Sequence, residues 1–233
     1  KYFDRITRPE QILQTLPQAI QTMLDPADCG PACISLCQDV QGEVYDYPEE
    51  FFKEIVHNIR RPRPDDFQLK EAAEKIKKSK NPIIISGGGV FYSDAIEELG
   101  AFAVKHNIPV TQTVMGYSTM KKDHSHFLGP IGGLGGKAAN NFAKQTDLAI
   151  AVGTKLADFT TGSWANFENP YFSLVNINVA RFDANKHLAQ SVIGDAKVSL
   201  TELSQILGDW KASDDWYKKS RDELKSWNEY IDK

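Results

Sequence analysis

The feature that most constrains this chain is a series of short β-branched or apolar runs separated by helix-length amphipathic segments. The runs are NPIIIS at 81–86, IPVTQT at 108–113, DLAIAVG at 147–153, SLVNIN at 173–178 and SVIG at 191–194. Between them, 67–79, 94–106, 136–145 and 197–207 carry apolar residues at helical spacing or Gly/Ala-rich helix-compatible sequence. Strands that alternate with helices at this interval predict a parallel, doubly wound α/β sheet. The runs do not alternate apolar with polar, as expected when helices cover both faces of a sheet. A Rossmann-like domain over residues 67–208 follows.

The flanks are less regular. Thr7–Leu24 places Ile12, Leu13, Leu16, Ala19, Ile20 and Met23 at helical spacing, with Pro17 expected to kink or interrupt the helix. ACISL at 32–36 reads as a buried strand, and Arg60-Arg61-Pro62-Arg63-Pro64 as an extended connector. The segments expected are therefore 1–45, a linker at 46–66, the α/β domain at 67–208, and a tail at 209–233. The tail sets Trp216, Tyr217, Leu224, Trp227, Tyr230 and Ile231 at helical spacing, so its helix needs a surface to pack on.

Composition removes several classes. A formal net charge of −4 argues against a nucleic-acid surface. No apolar run approaches the roughly 18–20 residues of a bilayer crossing. Cys29, Cys33 and Cys37 form C-x3-C-x3-C with no second pair. On a strand, residues four apart stand about 13 Å apart, too far to share a metal. They are expected to be reduced, mostly buried small side chains, and a cytoplasmic home follows from the lack of a secretory signal. The chain opens at Lys1 without Met, in sequence that reads as the inside of a longer protein.

Gly87-Gly88-Gly89 follows a strand and precedes a helix. Such a turn either lets backbone approach a phosphate or simply packs tightly, and G-x-G-x-x-G fails at Tyr92. LGPIGGLGGKAANNF at 128–142 lacks the G-K-[ST] ending of a P-loop, with Ala138 where magnesium's hydroxyl ligand belongs. His124 and His126 read as solvated loop histidines, and Ser163 lacks a nucleophile elbow. No catalytic residue and no metal ligand is assigned.

Taken in order, GPACISLCQDVQGE, NPIIISGGG, IPVTQTVMG, HFLGPIGGLGGKAAN, TDLAIAVGTKLADFTTG and LVNINVA resemble the thiamine-diphosphate enzymes of the acetolactate synthase type. The resemblance runs over nearly the whole chain. Within the family, YFDRITRPEQ, QDVQGEVYDYPEEFF, DFTTG and NINVAR are most similar to members that open a cyclic diketone in myo-inositol breakdown. It implies that 1–45 ends a pyrimidine-binding domain, 67–208 is the central domain, and 209–233 leads toward a pyrophosphate-binding domain. It further implies a cytoplasmic homo-oligomeric parent that acts on a small cyclic diketone, without nucleic-acid or membrane partners.

The parent implied by the resemblance uses thiamine diphosphate and Mg²⁺, held through a GDG motif followed by Asn-Asn. Here Gly194-Asp195 continues to Ala196, Gly208-Asp209 continues to Trp210, and Asn140-Asn141 lies upstream of both. This piece is therefore expected to be inert alone. Relatives hold FAD or ADP in the central domain; the matching positions are Gly87, Gly88, Gly89, Thr113, Met115, Gly153, Thr154, Asn176, Asn178 and Asp195. The family's D-I-D reads Asn176-Ile177-Asn178, its M-H-G reads Gly133-Leu134-Gly135, and its arginine is Phe159. These departures weigh against flavin or ADP and toward a domain that organises subunit contacts.

Overall fold

The computed structural model describes residues 1–233 as two compact units, 1–60 and 61–233.

In the first unit, β1 (Tyr2–Ile6) and β2 (Ala32–Leu36) pair in parallel, Tyr2 opposite Ala32 and Ile6 opposite Leu36. The crossover helix α1 (Ile12–Leu24) covers one face of the pair. Gln11 starts it by accepting from the backbone N–H groups of Thr7 (2.6 Å) and Arg8 (2.9 Å). Thr15 donates to Asp4 at 2.7 Å, tying α1 to β1. That bond holds the Asp4 carboxyl below its ordinary pKa, helped by the Arg5 N–H.

One expectation fails in this unit and another is narrowed. Helix α1 runs unbroken through Pro17, whose ring lies on the exposed side where water can serve the carbonyl it frees. The cysteines are not buried: Cys29 and Cys33 are exposed and Cys37 is half-buried, all three as free thiols. The cause is one-sided cover. A two-stranded sheet with one helix leaves half its side chains outside, and β2 exposes Cys33 and Leu36. Only Ile6, Ala19 and Val40 form an apolar interior.

The second unit contains the predicted doubly wound sheet. Helix α2 (Asp66–Lys78) leads into β3 (Pro82–Ser86), α3 (Gly88–Tyr92), α4 (Ile96–His106) and β4 (Val110–Gln112). Then come β5 (Phe127–Pro130), α5 (Lys137–Ala143), β6 (Leu148–Val152), α6 (Asp158–Thr161) and β7 (Ser173–Asn178). Helix α7 (Arg181–Ala184), β8 (Gln190–Ile193), α8 (Ala196–Leu207) and α9 (Asp214–Ile231) complete it. The strand order is β5-β4-β3-β6-β7-β8, with every neighbouring pair parallel. Two readings are corrected. Phe127–Pro130, absent from the predicted strands, is an edge strand, and the glycine turn opens a helix of its own before α4.

Two cores sandwich this sheet. Ile84, Leu148, Ile150 and Val175 face α2, α4 and α8, which supply Leu69, Ile76, Leu99, Phe102, Leu200 and Leu203. Ile83, Ile85, Ala149 and Ala151 face the other way, toward Phe142 of α5 and Trp216 of α9. Each buried Leu, Ile or Phe contributes about 1.5–3 kcal/mol. The Trp216 ring stacks on Phe142 at 3.9 Å and its indole N–H donates to Pro82 O at 2.8 Å. The tail helix therefore folds back onto its own domain.

Segment 61–65 is fastened at the start of α8. Asp195 caps that helix, accepting from Lys197 N at 3.0 Å and Val198 N at 3.3 Å. The same carboxylate pairs with Arg61 at 3.2 Å, while Asp195 N donates to Pro62 O at 2.8 Å.

Candidate functional site: the carboxyl edge of the sheet

In a parallel sheet the strands all end on one side, and ligands bind outside the crevice where strand order reverses. Here the reversal lies between β3 and β6. All ten predicted site residues gather at this edge. Gly87, Gly88 and Gly89 follow β3; Thr113 and Met115 follow β4; Gly153 and Thr154 follow β6. Asn176 and Asn178 close β7, and Asp195 follows β8.

Their polar groups are mostly engaged within the chain. Gly87 N donates to Val152 O at 2.8 Å, and Gly89 N to Gly153 O at 2.9 Å. A Cβ on Gly89 would stand 2.5 Å from Gly153 Cα, and one on Gly87 2.4 Å from Gly153 O. Only glycine allows these two loops to mesh, and Gly153 also needs its positive φ of 60°. The loops after β3 and β6 thus lie backbone against backbone at the strand reversal. Helix α3, five residues long, is too short to build an appreciable terminal dipole.

The remaining positions follow suit. Thr113 Oγ1 accepts from Gly116 N at 3.0 Å. Asn178 Nδ2 donates to Thr154 O at 3.1 Å, and its Oδ1 accepts from Ala180 N at 2.9 Å. Asn176 Nδ2 donates to Asp183 O at 2.8 Å, leaving its buried Oδ1 unpartnered. Asp195 is spent on its cap and on Arg61. Met115 alone points fully outward, 75% exposed.

Sequence reasoning missed Asn140. Its Oδ1 accepts from Gly132 N at 2.9 Å and its Nδ2 donates to Gly132 O at 3.0 Å, clamping the loop after β5. Gly133 N then donates to Phe159 O at 2.7 Å, joining that loop to the one after β6. The signal in the sequence is an Asn early in a helix, eight residues after the first glycine of Gly132-Gly133.

The histidines behave differently from the solvated pair expected. His126 is buried, its ring tilted against Tyr217 of α9 at 4.6 Å between centroids, with Asn107 and Ser125 at its ring nitrogens. Burial, then the charges of His124 and Arg221, push its pKa down to about 4. It is a neutral packing residue. Arg221, over the Tyr217 ring at 5.5 Å, is also pushed down by burial. No three acidic, histidine or cysteine side chains converge as a metal site. At the opposite, amino edge, a 320 Å³ cleft is lined by Lys75, Lys78, Ser79, Asp147, Tyr171 and Ser173. Asp147 there already accepts from Ser79 Oγ, Lys80 N and Asn81 N.

Residues 69–203 match the family described as thiamine pyrophosphate enzyme, central domain. The chain is 49% identical over 207 residues to the 3D-(3,5/4)-trihydroxycyclohexane-1,2-dione hydrolase of Clostridium perfringens strain 13, covering 89% of this chain and 32% of that protein. The hydrolase of the same name from Bacillus velezensis is 46% identical over 213 residues, 91% of this chain and 33% of the relative. That from Clostridium tetani is 42% identical over 233 residues, 100% of this chain and 36% of the relative. The chain spans about a third of the length of these relatives.

Proposed function

Because this chain belongs to the thiamine pyrophosphate enzyme family and carries its central domain, we propose that it is the middle part of a hydrolase. The parent's substrate is trihydroxycyclohexane-1,2-dione, and the bond cleaved is a ring carbon–carbon bond in myo-inositol degradation. The supporting observation is identity of 42–49% to proteins of that name, extending in one case along all 233 residues. When bound in the parent, thiamine diphosphate with Mg²⁺ supplies a nucleophilic carbon and an electron sink. No residue of this chain is assigned to hold either.

What this chain's residues do is structural. Most of the carboxyl-edge residues bond within the chain, Met115 being the exposed exception, and Asn140 fixes the loop after β5 beside them. We propose that the domain positions its neighbours within a cytoplasmic homo-oligomer and takes no direct part in the chemistry. FAD and ADP are not assigned to the edge, where Asn176 and Asn178 stand in place of carboxylates and donate to Asp183 O and Thr154 O within the chain.

A segment exchange tests this reading. Residues of the C. perfringens hydrolase that align with this chain are replaced by this chain, and ring hydrolysis is assayed with thiamine diphosphate and Mg²⁺. Retained turnover is expected; a folded but inactive hybrid would remove the assignment. The isolated chain should show no turnover, and millimolar FAD or ADP should leave its melting temperature unmoved, since a ligand of the native state raises it.

A further inference from the structure

Arg221 on α9 is a cation whose charge nothing else in the chain answers. The helix sets Tyr217, Lys218, Leu224 and Lys225 three or four positions from it, and none is an acid. Asp222 and Glu223, one and two positions on, belong to other faces of the helix. No ion pair of the chain includes Arg221, or Asp123 in the loop ahead of β5. Arg221 Nε donates to Ser220 Oγ at 3.2 Å, and its Nη2 is buried without an acceptor.

The groups around it add no negative charge. The guanidinium carbon stands 5.5 Å from the centroid of the Tyr217 ring, whose hydroxyl is committed to Ser125 O at 3.0 Å. His126 meets the same ring at 4.6 Å, and His124 lies 5.9 Å from His126, both between centroids. The charges that act on His126 are those of His124 and Arg221, with no carboxylate opposing them.

Histidine and arginine answer burial differently. A buried imidazole sheds its proton and becomes neutral, as His126 does. A guanidinium does not deprotonate in a protein, so its charge persists and has to be met by something else. An uncompensated buried charge is among the costliest arrangements a fold can hold.

The chemistry of the partner follows from the donors. Arg221 offers N–H groups and no acceptor, and its planar fork matches the oxygens of an oxyanion. Its enclosure sets the size. Nη2 is shut in by the chain's own atoms, so another protein surface laid over α9 does not bring a carboxylate to it. Nη1 is unbonded but not enclosed, and it gives a small free ion a point of entry. A turn of the flexible arginine arm then brings the second nitrogen to the ion.

We propose that Arg221, beside His126, is a binding site for a small free oxyanion of the phosphate class, held between α9 and the loop ahead of β5. The site lies at the start of β5, away from the carboxyl edge, and does not rest on the hydrolase reading. Once occupied, it fastens the tail helix to that loop.

Thermal unfolding of the purified chain at pH 7 tests this, in sodium phosphate against sodium chloride at matched ionic strength, so that general screening is common to both. For a dissociation constant of about 1 mM, phosphate at about 10 mM should raise the melting temperature by about 3–6 °C. Arg221→Met keeps an apolar arm on the Tyr217 ring and should abolish the rise. Lys70→Gln, which removes an exposed charge on α2, should leave it intact. Equal melting in phosphate and chloride would overturn the proposal, and so would a rise that survives Arg221→Met. Should Arg221→Met not fold, the imidazole resonances of His126 in the unsubstituted chain decide. They should move and saturate as phosphate is added, and resonances that stay in place would overturn the site. The segment exchange judges the hydrolase reading separately and can succeed whatever phosphate does.

Discussion

In residues 1–60 one helix covers one face of two parallel strands; in residues 61–233 helices cover both faces of six. The grammar is the same βαβ crossover, and the outcome differs side chain by side chain. Phe3 and Leu36 remain 69% and 53% exposed, whereas Ile83, Ile84 and Ile85 are wholly buried. A parallel strand gains its hydrophobic stabilisation only when both faces are covered. The same local sequence logic therefore yields a firm domain in one place and a thin one in the other.

The contrast is tested most severely by truncating one side chain in each unit. Trp216→Ala removes the ring stacked on Phe142 and orphans Pro82 O, so it should cost about 3–5 kcal/mol in urea unfolding. Met23→Ala in α1 starts from a side chain 47% exposed and should cost under about 1 kcal/mol. Equal losses would erase the distinction.

Acid should act next most strongly, and on the larger unit. His126 is held neutral with a pKa near 4, and burial also lowers that of His106. Below about pH 6.5 the unfolded chain binds protons that these folded rings refuse, so stability falls as the pH drops. The His126 contribution is lost between about pH 6.5 and 4 and amounts to up to about 3 kcal/mol. His126→Asn should flatten that part of a stability–pH curve measured by denaturant melts. An unchanged slope would show that the ring is not buried by Tyr217 in solution.

Asp195→Ala deletes the cap of α8 and the partner of Arg61, with an expected cost of about 1–2 kcal/mol. Proteolysis should then begin within 61–65; a cut pattern identical to the parent's would disprove the fastening. Smallest of all, Cys33→Ser should change stability by within about 0.5 kcal/mol. Cys29 and Cys33 should label with a thiol reagent in the native state. Protection until unfolding would mean that β2 is covered after all.

Much of the larger unit was legible because its strands carry their own signal. Ile83-Ile84-Ile85 and Leu148-Ala149-Ile150-Ala151 are apolar on both faces and bounded by turns. Strand β5 was not legible: Gly129 and Pro130 make half of a four-residue strand look like a loop, and pairing with β4 overrides them. His126 sits among Lys, Asp and Ser, and what buries it is Tyr217, ninety-one residues later. The cysteines failed for a related reason. A strand's sequence states its preference for cover, and only the tertiary fold states whether cover is supplied. At the site, the glycines announced close approach without saying to what, and the approach is to another glycine.

The meshing of Gly87 and Gly89 with Gly153 has a consequence for how such a sheet edge can diverge. No single substitution opens it, since any Cβ at these positions collides with main chain that other hydrogen bonds hold. Parting the two loops demands that they shift together, a change that pointwise substitution does not reach gradually. The apolar positions around it carry no such constraint and can drift one at a time. In lineages built on this domain, the glycine mesh should therefore persist while the exposed side chains around it change.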